Sequence, residues 1–227
     1  MNDSVENRDI KTKILIAAGK KFAEKGFADT TVREICDVAG ANLAAVNYYF
    51  GDKESLYIEA VKFARKNRVD ENPLPEGDSD PETRLRSFIS TMVKRTGGIN
   101  SPSWQLQLLM RELLFPTEAC QRLIDEYFRP SFSQLLEIIQ EFSPRPLEEQ
   151  QAYRLGYSII GQVMYLRFTS KMKSMFLPEK MLEDHFQIEQ IAEHIYQFSI
   201  AALKSEEFWN LIDRDSESNE SNEIRWA

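Results

Sequence analysis

The stretch from Thr31 to Lys53 constrains this chain more than any other. It reads Thr-Val-Arg-Glu-Ile-Cys-Asp-Val-Ala-Gly-Ala-Asn-Leu-Ala-Ala-Val-Asn-Tyr-Tyr-Phe-Gly-Asp-Lys. Thr31 and Glu34 have the spacing of a capping box, in which each side chain satisfies the other's free N–H at a helix start. Val32, Ile35, Cys36 and Ala39 recur at helical spacing and give that helix one apolar face. Gly40 suits the left-handed residue that closes a helix. Asn42 precedes a second apolar run and can cap it. The second helix, Leu43 to Phe50, carries no charge and presents Asn47, Tyr48 and Tyr49 as hydrogen-bonding tips. Helix, tight turn, then helix with polar tips is a helix-turn-helix, whose second helix lies in the DNA major groove.

On these residues the chain resembles the TetR-type transcriptional regulators. The resemblance is carried by Thr31-Val-Arg-Glu-Ile, Ala39-Gly40-Ala-Asn42, Tyr49-Phe50-Gly-Asp-Lys53-Glu54 and Leu56. The wording from Asn42 to Gly51 is similar to the CerR-like branch. Leu43 departs from the pattern, since many members carry a polar or basic residue there. Further along, Tyr127-Phe-Arg-Pro130, Ile160-Gly-Gln-Val163 and Ile191-Ala-Glu-His-Ile195 resemble the C-terminal domain of that branch, so the likeness covers about residues 8–205.

A net charge of −8 argues against a nucleic-acid partner until its distribution is read. Residues 8–68 hold 12 Lys/Arg against 8 Asp/Glu, whereas residues 69–227 are strongly acidic. A mildly basic head on an acidic body suits a phosphate-facing module that works in pairs. No apolar run approaches the roughly 18 residues of a membrane span. The acidic start, Met-Asn-Asp-Ser-Val-Glu-Asn, is unlike a secretory signal, so the expected compartment is the cytoplasm. Cys36 and Cys120 make no disulfide framework. Cys36 reads as a small core residue, with a redox switch as the alternative.

Periodicity predicts helices throughout and no alternating strand. The first runs from about Asp9 to Lys25 after a frayed start at residues 1–7, with lysines on a face that is either solvated or phosphate-facing. A fourth helix, capped by Asp52, runs from Lys53 to Arg68. Residues 69–80, rich in Pro, Gly, Ser and acid, mark a boundary. Beyond it come helices at 81–96, stopped by Gly97-Gly98, and at 102–115. Another at 116–142 is kinked by Pro130. The last two lie at 147–171 and 188–204, with a loop and at most one turn of helix between. The fold class expected is all-α: an N-terminal three-helix helix-turn-helix head with its linking fourth helix (8–68), and a larger helical effector-binding and dimerisation bundle (81–205). Residues 206–227 read as an acidic tail, solubilising or, less simply, competing with DNA for the head.

No catalytic motif, phosphate loop or metal-ligand spacing occurs, and no cofactor or enzyme activity is expected. His185 and His194 read as surface residues. Ala44, Ala45 and Asn47 are expected to face bases, since Ala can meet a thymine methyl and Asn can pair with adenine. The family resemblance implies phosphate contacts at Thr31, Tyr48, Tyr49 and Lys53. Arg111, Glu112 and Arg167 lie in apolar helices and need an ion pair or a ligand. Met92, Trp104, Leu108, Arg111 and Tyr165 are the expected lining of an effector pocket, with core packing the alternative. Gly156, Ile160, Gly161, Met164, Ile195 and Phe198 are the expected homodimer interface, where the glycines permit close approach across the dimer or within the subunit. Together these features point to a repressor that binds a palindromic double-stranded operator and answers to a small molecule. The alternative is an all-helical interaction protein or enzyme that contains a helix-turn-helix-like element.

Overall fold

Helices joined by short turns account for the described residues, with no strand among them. The computed structural model describes residues 3–74, 79–96 and 103–212, with main chain alone for 3–8, 170, 171 and 174. The Gly97-Gly98 stop, the Pro102 start and the tail from Asp213 onward lie outside the described residues. None of the described helices is long and apolar enough to cross a membrane.

The helices are α1 Asp3–Lys25, α2 Val32–Ala39, α3 Leu43–Phe50, α4 Lys53–Glu71, α5 Pro81–Arg95 and α6 Trp104–Leu114. They continue with α7 Glu118–Leu123, a π-turn at Ile124–Phe128, α8 Arg129–Phe142 and α9 Glu149–Phe168. The last are α10 Ser170–Phe176, α11 Glu179–His185 and α12 Ile188–Leu203. From α2 to α7 each start carries a side-chain cap: Thr31, Asn42, Asp52, Asp80, Ser103 and Thr117. Each supplies an oxygen to an N–H that the helix leaves free.

Three expectations are corrected. The main chain of residues 3–7 is helical rather than frayed. The one kinked helix expected at 116–142 is instead two α-helices joined by a π-turn at Ile124–Phe128, with Pro130 in the first turn of the second, where a missing N–H costs no helical hydrogen bond. The stretch before residue 188, expected as a loop with at most one turn of helix, is two short helices, the second opened by Pro178.

The chain divides into two compact units; the break after Pro73 falls inside the boundary read at residues 69–80, but a segment assigned to the bundle returns to the first unit. The first contains residues through Pro73 together with Ser101–Arg129, so α6 and α7 pack with α1–α4. Ile14, Ala18, Phe22, Ile35, Leu56, Val61, Leu108 and Leu123 form its core. Two glycines on or after α1 let α6 approach. A Cβ at Gly19 would run into the Trp104 ring, and one at Gly26 into the Arg111 guanidinium. Glu112 on α6 is fully buried, and its carboxylate accepts hydrogen bonds from the Tyr57 hydroxyl and from the Thr117 N–H (2.7 Å) and hydroxyl (2.8 Å). Arg65 of α4 lies 5.6 Å from the ring centres of Tyr127 and Phe128.

The second unit packs α5, α8, α9 and α12 around Leu85, Phe88, Ile89, Leu135, Ile138, Ile159, Ile195 and Tyr196. Residues 206–212, assigned from sequence to the tail, are helical and insert Trp209 into this core. The Trp209 indole N–H donates to the Leu203 carbonyl at 2.9 Å.

Candidate nucleic-acid interface

The helix-turn-helix is built from local hydrogen bonds. The Glu34 N–H donates to the Thr31 hydroxyl oxygen (3.2 Å), and the Thr31 N–H donates back to the Glu34 carboxylate (2.8 Å). Lys25 at the end of α1 pairs with the same carboxylate. That hydrogen bond first, and those from Thr31 next, hold the Glu34 carboxyl down at about 2. α2 closes at Gly40, whose φ of 63° is left-handed. The Ala45 N–H then donates to the Asn42 side-chain oxygen at 2.8 Å, starting α3.

The faces of α3 follow from 100° per residue. Val46 and Phe50 are buried, and Ala45 and Tyr49 pack partly against the same core. On the opposite arc Leu43 is 57% exposed and Tyr48 81%, with Ala44 and Asn47 open between them. Ala44, Asn47 and Tyr48 thus stand where a groove can meet them. Ala45, expected to face bases, is turned inward, because docking Val46 and Phe50 rotates its neighbour toward the core. Leu43, noted in the sequence only as a departure from the family pattern and given no role there, is marked out by its exposure.

Thr31 is exposed at the mouth of α2. Tyr48 and Tyr49 meet edge to face, with ring centres 5.1 Å apart. The Lys53 ammonium donates to the Ala28 carbonyl at 3.3 Å and lies 4.6 Å from the Phe27 ring centre. An ammonium has three N–H donors, so this anchoring leaves two for a phosphate. Lys11, Lys13 and Arg33 are exposed on α1 and α2.

The residues expected to form an effector pocket are divided between the units. In the first, Trp104 lies against Gly19 and stacks on Phe63 at 6.5 Å between ring centres. Leu108 is wholly buried, and Arg111 donates to the Lys25 carbonyl at 3.2 Å. Beside the pocket, sequence left core packing open for Trp104 and a salt bridge open for Arg111; here Trp104 packs on its neighbours and Arg111 bonds a main-chain carbonyl rather than a carboxylate. In the second unit Met92 is partly buried and Tyr165 is 63% exposed. Arg167 lines a small cleft with Val93, Thr96, Val163, Leu166 and Ile191.

Of the expected dimer residues, Gly161 and Phe198 are exposed, while Ile160 and Met164 are half-buried. Ile195 is core, and Gly156 is covered from within, where an added Cβ would lie 2.7 Å from Phe132 Cζ. Close approach at Gly156 is therefore within the subunit. Both cysteines are buried, and burial pushes their thiols up, as suits small core residues. His185 and His194 are exposed. No cluster that could hold a metal ion occurs among the described residues.

Comparison with known proteins agrees with this geometry. Residues 14–60 match the model for bacterial regulatory proteins of the tetR family. Residues 81–203, more than half the chain, match the C-terminal domain of the HTH-type transcriptional dual regulator CecR. The CecR regulator of Shigella flexneri is 25% identical over 177 residues, spanning 72% of this chain and 78% of that protein. Among solved structures, the hemolysin II transcriptional regulator HlyIIR is similar at a TM-score of 0.53 and 25% identity, covering 83% of this chain and 97% of its own. AibR, solved with isovaleryl coenzyme A and operator DNA, shares the fold at a TM-score of 0.61 and 17% identity, over 83% of this chain and 97% of that one.

Proposed function

The chain belongs to the TetR family of bacterial transcription regulators, with a C-terminal domain of the CecR type, and on that footing we propose that it is a homodimeric repressor which a small apolar or amphipathic effector releases from a palindromic operator. The observation that carries the DNA reading is the division of α3. Val46 and Phe50 hold it down while Ala44, Asn47 and Tyr48 stand clear. In this reading Ala44 and Asn47 meet bases, and Thr31, Tyr48, Tyr49 and Lys53 hold phosphates and set the register. One mildly basic head makes few phosphate contacts, and a two-fold pair doubles them on a palindrome. The pair forms through the outer faces of α9 and α12, where Tyr157, Gly161, Tyr165 and Phe198 are exposed. Such a regulator acts in the cytoplasm. The kinship with CerR-like regulators belongs to this proposal and rests on the residues from Asn42 to Gly51.

The test is footprinting on a palindrome upstream of the chain's own coding region, followed by gel shifts at controlled salt. Lys53→Ala should weaken all sites alike, whereas Asn47→Ala should relax preference at one or two base pairs. Unchanged operator affinity in both Asn47→Ala and Tyr49→Phe would refute the assignment. The effector is sought by thermal shift, and hits are titrated with and without operator. Release requires that the effector favour the unbound spacing of the heads, so operator must weaken effector binding by the same factor.

A further inference from the structure

We propose that Leu43, with Ala44 beside it, reads thymine methyl groups, so that hydrocarbon contact specifies part of the operator half-site. The inference rests on the DNA-binding reading above and adds the chemistry of recognition. α3 carries no acidic or basic residue. It therefore lacks the Arg or Lys that makes the commonest specific contact, two hydrogen bonds to guanine O6 and N7. Its exposed arc offers instead a leucine, an alanine, an amide and a phenol. The N-terminal residues of such a helix are those that reach base edges. Leu43 is the first residue of α3 and is 57% exposed.

A base edge facing that leucine must be apolar, or its donor or acceptor loses water for no partner. In the major groove the thymine C5-methyl is the hydrocarbon group, while adenine, guanine and cytosine present N7, O6 or amino groups. Asn47 lies four residues on, one turn along the same face. Its amide can pair with adenine N6 and N7. Leu43 and Asn47 together thus select A·T pairs about one helical turn apart along α3. The exposed cations Lys11, Lys13 and Arg33 lie on other helices, where they can serve the backbone.

The test uses the full chain to select duplexes from a random library, then replaces each thymine of the recovered half-site singly by deoxyuridine, which removes only the methyl. At one or two positions the change should weaken binding about fourfold, the worth of one buried methyl-sized group. Leu43→Ala should erase that difference at its position, and Asn47→Ala should leave it in place. If every thymine-to-uridine change is neutral, the methyl reading falls while DNA binding stands. The same holds if the loss persists unchanged in Leu43→Ala and Ala44→Gly. If no sequence is enriched, the DNA-binding reading falls and this inference with it.

Discussion

At the scale of single residues, the most demanding group is Glu112. A buried carboxylate is tolerated only when its oxygens are satisfied, and here Tyr57 and Thr117 satisfy them. Tyr57→Phe should cost about 2 kcal/mol, because it leaves a buried acceptor short of a donor. Urea denaturation measures this. Burial first, and the bond to Glu112 second, push the Tyr57 phenol above its usual value. A raised folded-state value means stability that is complete below about pH 10 and lost as pH rises further. Tyr57→Phe should therefore flatten the alkaline limb of stability. Glu34 has the opposite sign. Its value is lowered from 4.5 to about 2, so its contribution is present above 4.5 and lost as pH falls from there toward 2. Amide protection factors in α2, taken relative to the intrinsic exchange rate at each pH, should fall over that window, and Glu34→Gln should remove that fall.

Among the elements, α6 changed its meaning most. Its sequence is apolar nearly all round, with Arg111 and Glu112 embedded in it, and that pattern fits a pocket wall as well as a buried helix. In the fold it lies against α1 and α4, seated where Gly19 and Gly26 leave room. Trp104→Ala should lower the stability of the first unit by about 2 kcal/mol through lost packing. Gly19→Ala should destabilise by roughly 1–3 kcal/mol, since the new methyl displaces the indole and outweighs alanine's better helix propensity. Both are read by thermal or urea unfolding. A Trp104→Ala variant of unchanged stability would overturn the packing role and favour the pocket reading.

For the molecule as a whole, the second unit leaves aromatic side chains open on α9 and α12. Tyr157 is 66%, Tyr165 63% and Phe198 64% exposed. In the proposed dimer these open aromatic groups meet the partner copy. Phe198→Asp should yield a monomer by light scattering at micromolar concentration and should lower operator affinity by at least tenfold. A wild-type chain that is monomeric yet binds its operator tightly would overturn the dimer.

What the sequence determined by itself is what short-range forces decide. The capping box of Thr31 and Glu34, the Gly40 turn and the Asn42 cap each close within a few residues, so the helix-turn-helix was legible before any tertiary contact was known. The all-helical class was legible too, because apolar spacing records which face of each helix is buried. Only the tertiary structure decided which helix each face meets. Arg111 hydrogen-bonds to Lys25 from 86 residues away, and no local pattern carries that pairing. The same holds for Trp104 on Gly19 and for Trp209, which lay in a stretch read as tail. Even within α3, the docking of Val46 and Phe50 decided that Ala44 is more exposed than Ala45. Hydrogen bonds and periodicity act along the chain, whereas packing selects by shape between segments that the sequence holds far apart.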